Sequence, residues 1–489
     1  MLQIERVRQR ILAAFPGLRV EVLPVDTRGD QLQDIPLQTV EGTDFFTAEL
    51  RRMLEQQEAD IAVHSLKDLS AAHFFSTHRF AVTEREDVRD IALFRPDVMD
   101  KIKRGETLVI GTCSPRREDM ALDFLRKALP RFDQPVSLTV RPIRGNVDTR
   151  LRKLDEGQYD GTILATAGLN RLLEDAEAGP MVRALLAGKR RMLLPIVECV
   201  PAPCQGAIVA EAAPGNARAL TMLNAINQPE LYRQCVAEKA AAMRYGTGCD
   251  QRFGVTHVAA GDQHWLYAAG RDGRGREIAY WSGLPSHAVS ASALFSSTDR
   301  MGDFFGYTYA EAVPLPDSPV VYIASHAHVR SLPLPGYLEG RTVWAAGTRT
   351  WYALAARGVW VDGSADALGL ETLRAIFAMP VVQVNPEDVT VFTHSDAVDG
   401  WRRKGWKAIA TCGLLPQPDD GIAAAVQSAQ FHFWTSFGQY TQYGQLARPG
   451  AVHACPYGET AEKLRAAGVE PLIFPTIKSF QAWRQSITR

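Results

Sequence analysis

Cys249 lies in RYGTGCDQRF (244–253), with no second cysteine within ten residues and no histidine within five. That isolation argues against a CxxC redox pair and against the usual zinc ligand spacings. A lone thiol then has three uses: a small buried apolar residue, a reactive nucleophile, or a point of covalent attachment. The flanking Gly248 and the nearby Gly246 favour a loop, where the sulfur is accessible, and Arg244 and Arg252 favour the thiolate.

A second group of residues can bind anions. Residues 111–153 hold ten Lys/Arg against five Asp/Glu. Arg116 and Arg117 follow a strand-like run in GTCSPRRE, where Pro115 suits the first helical position and Ser114 can cap it. Arg144 and Arg150 flank the next strand-to-helix turn in RPIRGNVDTR. Guanidinium forks and free backbone N–H groups at such turns bind carboxylates or phosphates. The alternative is a solvated basic face. DIAVHSLKDLS ends an apolar run with Lys67 and Asp68, a carboxylate able to move protons beside the arginines or simply to form a surface ion pair. In APCQGA, Gln205 and Gly206 precede an apolar strand, which implies close backbone approach. His326 and His328 alternate in SHAH and are expected on one side of a strand, but with no third ligand no metal site is expected.

The elements that must position these groups alternate. Runs 18–25 and 59–66 read as strands around a helix at 47–57. TLVIGT leads into helix 115–129, VSLTVRPI into helix 148–156, and YDGTILATAG follows. This predicts α/β layers on mostly parallel sheet. Residues 255–282 predict a small antiparallel meander with Gly-Asp and Asp-Gly turns. A proline-rich stretch at 309–321 reads as a linker. Beyond it, GRTVWAAGTRTWYALAARGV (340–359) and PGAVHACPYGETAEKLRAAGV (449–469) echo each other as strand, turn with threonine, helix and glycine, which predicts two related α/β lobes.

Taken in order, Thr27-Arg28-Gly29-Asp30, DIAVHSLKD, EREDVRD, GTCSPRR, IRGNVDTRLRKLDEGQYDGTILATAGLNRL, PCQGA and GTGCDQRFG resemble porphobilinogen deaminase (hydroxymethylbilane synthase) over about residues 1–310. The resemblance implies two periplasmic-binder-like α/β lobes, 1–84 with 191–217 and 89–187, and a small α+β domain, 220–310. It implies a dipyrromethane cofactor bound covalently through Cys249, on which four porphobilinogens are joined with loss of ammonia. Asp68 is then the catalytic carboxylate. Lys67, Ser114, Arg116, Arg117, Arg144, Arg150, Arg171 and Gln205 contact the anionic chain, and Phe46 closes over it.

After a linker at 311–319, residues 320–489 are more weakly similar to uroporphyrinogen-III synthase, whose substrate is hydroxymethylbilane. That resemblance implies a two-lobed α/β module with Thr350, Thr435, Ser436 and Thr460 donating to substrate carboxylates, although the same residues suit helix caps. The chain departs from the deaminase pattern: it starts at the helix after the family's opening strand, so the Arg and Ser of that strand have no counterpart. Thr43 and Ala48 stand where lysines are expected, and Asp148 where a glycine is. A non-catalytic binder of tetrapyrroles or other polyanions is the alternative to an enzyme.

Bulk properties fit such small anionic substrates. The balance of 54 basic and 55 acidic residues gives a net charge of −1, so no global field for nucleic acid or anionic membrane is expected. Seven scattered cysteines among 489 residues argue against a disulfide framework. With no signal-like start and no long apolar run, the expectation is a cytoplasmic monomer.

Overall fold

The computed structural model describes residues 2–25, 47–246, 251–286, 289–311, 313, 315–334 and 336–487. The chain divides into two compact units. The first comprises 1–257 with 266–278, the second 258–265 with 279–489.

The first unit contains two sheets. One joins β1 (Ile61–Ser65), β2 (Phe80–Arg85) and β8 (Ala207–Ala212) in the order β1-β8-β2. The other joins β3 (Asp90–Phe94), β4 (Leu108–Gly111), β5 (Leu138–Arg141), β6 (Gly161–Ala165) and β7 (Arg190–Leu193) in the order β5-β4-β6-β3-β7. These are mixed sheets, not the mostly parallel ones expected. β8 runs antiparallel to both of its neighbours, and so does β3. The reason is topological: β3 and β8 are the strands entered directly from the other sheet's segment, so each is inserted against the local βα progression. Residues 86–89 and 194–206 are therefore the two crossovers between the sheets.

Two boundaries move. Strand β7 pairs with β3 in the second sheet, so the first lobe does not resume at 191. The expected strand at 18–25 makes no ladder among the described residues; Leu18 and Val20 instead pack on the core formed by Val7, Ile11, Ala81 and Leu223. Helix Leu2–Ala14 buries Val7 and Ile11, four residues apart on one face, against that cluster. β8 is buried at every position, as a central strand covered on both faces must be.

Strands β9 (Arg252–Ala260), β10 (Gln263–Arg271) and β11 (Glu277–Trp281) form the expected three-stranded meander. The second unit also contains two sheets. β12 (Leu294–Ser296), β19 (Phe431–Phe433), β20 (Val452–Pro456) and β21 (Leu472–Phe474) are all parallel. β14 (Val320–Ile323), β15 (Thr342–Ala345), β16 (Gly363–Ser364), β17 (Val389–His394) and β18 (Lys407–Pro416) are parallel too, and β13 (Phe305–Tyr309) pairs antiparallel at the β18 edge. Because β12 and β13 complete these two sheets, the module begins before residue 320, and residues 294–309 do not belong with the meander. The internal echo survives as structure: β14-β15 and β19-β20 are each a parallel pair, and each second strand feeds an eight-residue helix, Thr348–Ala355 or Glu459–Ala466, whose N-cap is glycine.

Candidate functional site

Four strand-to-helix turns and one crossover bring the candidate residues together in the first unit. Lys67 and Asp68 form a single 3-10 turn, Leu66–Asp68, at the end of β1. Leu66 is fully buried beneath it, which fixes the turn, while Asp68 is exposed and accepts no hydrogen bond. Lys67 is half-buried and its ammonium lies below the ordinary lysine value. Burial lowers it first, Asp68 opposes, Arg117 adds to the lowering, and Asp90 and Arg116 act in turn. These five charges form one electrostatic group.

At its centre is Asp90, fully buried at the start of β3. Its Oδ2 accepts from Arg116 Nη2 at 2.8 Å; its Oδ1 accepts from Arg117 Nη2 at 2.8 Å and from Gln205 Nε2 at 2.9 Å. Burial pushes the Asp90 carboxyl up, but the two guanidinium groups outweigh it and hold it well below the carboxylate range. Arg116 also donates to Val200 O at 2.7 Å and Arg117 to Ile163 O at 3.1 Å. Both side chains are nearly inaccessible, so the expected pair of free anion-binding arginines is instead an internally paired one. The Nε of Arg117 is buried without a partner. The segment carrying them opens with a π-helical turn, Arg117–Ala121, before the regular helix Leu122–Ala128. Ser114 Oγ accepts from Arg117 N–H only at 3.5 Å.

Arg150 differs. It sits in the first turn of helix Val147–Asp155, donates Nε–H to Gly145 O at 2.8 Å, and has no carboxylate partner. Burial, then repulsion from Arg117, lowers its guanidinium to about 10, with Arg144 adding to the effect. Gly145 is required in this turn: its φ is +106°, and a Cβ would lie 2.6 Å from the Thr149 methyl. Asp148 does not oppose Arg150; it faces Arg152 at 3.8 Å.

Arg171 and Gln205 tie down the crossovers, Arg171 from a neighbouring helix and Gln205 from within the second. Arg171, buried in helix Thr166–Glu174, donates to Gly206 O and lies 3.6 Å from Glu84. Gln205 donates to Val88 O at 2.7 Å as well as to Asp90, so its amide staples one crossover to the other. Gly206, at φ +84°, brings its backbone against Glu86, where a Cβ would meet Glu86 O at 2.5 Å. Next to it, Glu238 is fully buried and takes both Nη atoms of Arg85, at 2.8 and 2.9 Å, with Cys204 N–H at 2.7 Å and His257 N–H at 2.8 Å. Neither Asp90 nor Glu238 was singled out from the sequence. The available signal for Asp90 was a carboxylate opening the apolar run IALF, which must find donors once buried.

Cys249 and Phe46 lie outside the described residues. The fit of a polycarboxylate to what is described rests on the donors. Arg150 is uncompensated, the Nε of Arg117 is unpartnered, and Lys67 is close enough to feel both arginines of the pair. Among the described residues there is no group of three metal-ligating side chains and no helix long and apolar enough to cross a membrane.

In the second unit the threonine turns are partly used locally. Ser436 caps helix Phe437–Tyr443 through a capping box with Gln439. Thr435 donates its N–H to Ser297 Oγ at 2.9 Å and its hydroxyl to Gln439 Oε1 at 2.9 Å. Thr350 is buried in the first turn of its helix; Thr460 is half-buried, and neither makes a side-chain hydrogen bond. His326 and His328 lie on a 3-10 turn, His326–Val329, capped by Ser325, not on the expected strand. His328 is buried edge-on against His394, at 5.2 Å between ring centroids.

The chain is similar to several known proteins. The family description "Porphobilinogen deaminase, dipyromethane cofactor binding domain" matches residues 1–221. A porphobilinogen deaminase of Laribacter hongkongensis is 35% identical over 271 residues, 55% of this chain and 80% of its own. One of Burkholderia thailandensis is 35% identical over 295 residues, 60% of this chain and 82% of its own. Among solved structures, the substrate-binding protein of an amino acid ABC transporter matches 49% of this chain and 86% of its own, at 14% identity and a TM-score of 0.24.

Proposed function

This chain belongs to the porphobilinogen deaminase family, and from that premise we propose that it is a hydroxymethylbilane synthase that joins four porphobilinogens with loss of ammonia. The observation that carries the reading is the turn Leu66–Asp68: an exposed carboxylate without a hydrogen-bond partner next to a lysine that shares one electrostatic group with Arg116, Arg117 and Asp90. In this reading Asp68 stabilises the positive charge that builds on the aminomethyl carbon as ammonia departs, and exchanges a proton with the leaving amine. Arg150, Arg144 and Lys67 hold acetate and propionate groups, Arg116 and Arg117 add their field, and Gln205 fixes the crossover behind them. Ser114 and Arg171 keep the turns in place. A dipyrromethane held through Cys249 would supply the free pyrrole carbon to which the first ring is joined, and each later ring would join the end of the growing chain.

We further propose that the second unit is a uroporphyrinogen-III synthase module, with Thr350, Thr435, Ser436 and Thr460 near the substrate carboxylates. The support is the pair of parallel lobes with matching strand–turn–helix units at 347–350 and 458–461. The domain division we favour is two lobes in the first unit, a small α+β domain around the meander, and the module from about 291 onward.

Incubation with porphobilinogen tests both halves. Ammonia release with formation of uroporphyrinogen supports the deaminase, and a type III product in excess of type I supports the module. Type I alone would mean that the module is inert. No ammonia release from protein expressed with ample porphobilinogen would leave only a polyanion binder.

A further inference from the structure

Two buried guanidinium groups side by side, with a lysine within their field, repel one another. In this protein they are reconciled by a single carboxylate. Asp90 receives 2.8 Å hydrogen bonds from Arg116 and Arg117 and a 2.9 Å bond from Gln205, and is fully buried. It leads directly out of the first crossover, and Gln205 lies next to the end of the second. Of the pair's two positive charges Asp90 cancels one, and it fixes the direction in which both forks point. The Nε of Arg117, buried and without a partner, and Arg150, without a carboxylate, are what remains for a ligand.

We propose that Asp90 is a positioning residue for the chain-growing reaction, which orients the Arg116–Arg117 pair and limits how tightly the site retains the growing polyanion. Each added ring brings two carboxylates, so a site with both forks free would hold the longest chain hardest and release it last. The inference rests on the deaminase reading.

The test compares folded wild type, Asp90→Asn and Asp90→Glu, each mixed with porphobilinogen and followed by intact-protein mass and by steady-state kinetics. Asp90→Asn keeps the shape but removes the charge. It is expected to raise the fraction of protein carrying three or four added rings, and to lower kcat about tenfold with KM unchanged or lower, the scale of one charged hydrogen bond. Asp90→Glu keeps the charge and moves it by one methylene, and is expected to shift the distribution the same way by a smaller amount. If Asp90→Asn does not fold, this variant carries the test. A merely structural Asp90 would lower thermal stability and slow every addition alike. An intermediate distribution in the folded variants identical to wild type would overturn the proposal. Wild-type protein that never gains mass would overturn the deaminase reading instead.

Discussion

The guanidinium of Arg85 donates to both oxygens of Glu238, at 2.8 and 2.9 Å, with the Glu238 side chain fully buried and that of Arg85 only 6% exposed. Burial alone would raise the Glu238 carboxyl. Arg85, His257 and the Cys204 N–H outweigh it and leave it lowered to about 2. Replacing Glu238 by Gln leaves a buried, unpaired Arg85, which costs about 3–5 kcal/mol. The denaturant midpoint should fall accordingly, and a loss below about 1 kcal/mol would contradict this account. Because the folded value lies below the unfolded one, the stabilisation is complete above about 4.5 and is lost as pH falls from there toward 2. Glu238→Gln should lack that part of the acid dependence.

Asp68→Asn should separate chemistry from folding. Asp68 is exposed and accepts no hydrogen bond, so the melting temperature should be unchanged within error. Uroporphyrinogen formation should drop by roughly 10²- to 10⁴-fold, the range of a positioned acid–base group. Near-normal turnover would remove Asp68 from the mechanism.

Arg150→Ala removes a cation that lacks a carboxylate partner and therefore frees no buried counter-charge. Stability should fall by about 1–2 kcal/mol, the value of the lost bond to Gly145 O. Binding of porphobilinogen should weaken roughly ten- to a hundredfold, the value of one charge-assisted hydrogen bond to a carboxylate. The readout is KM together with the fraction of protein carrying added rings. An unchanged KM in the folded variant would contradict the assignment.

How much of this was legible in sequence depends on whether a residue's partner is local. Helix Val147–Asp155 and its stop at Gly157, φ +75°, follow from a short amphipathic run and a glycine C-terminus, and were readable. The echo of residues 340–359 in 449–469 was readable for the same reason and appears as matching strand–helix units. The partners of Arg116 were not: Asp90 is 26 positions away and Val200 84, and only the crossovers bring them together. A cluster of arginines looks the same in sequence whether its counter-charge is a ligand or a distant buried aspartate. The strands at 294–296 and 305–309 were missed because three to five residues at a sheet edge carry too little periodicity.

In the second unit, His328 is buried against His394 and Tyr307, with His326 also in its field. Burial, then repulsion from His394, lowers it to about 3. The folded state therefore keeps it neutral while the unfolded chain protonates near 6.5, so stability is full above that value and falls as pH drops from 6.5 toward 3, by up to about 1.4 kcal/mol per pH unit. His328→Phe should flatten the pH dependence of this unit's unfolding over that window. An unchanged profile would show that His328 is not buried neutral.

The central claim is that this chain builds a tetrapyrrole on a cofactor tethered at Cys249, and the intact mass of the purified protein tests it most directly. The account predicts an increment of two pyrrole units in the wild type, absent from Cys249→Ser, with the pink colour of a dipyrromethane in Ehrlich's reagent. An unmodified wild-type mass after expression with ample porphobilinogen, or an increment that persists in Cys249→Ser, would contradict it.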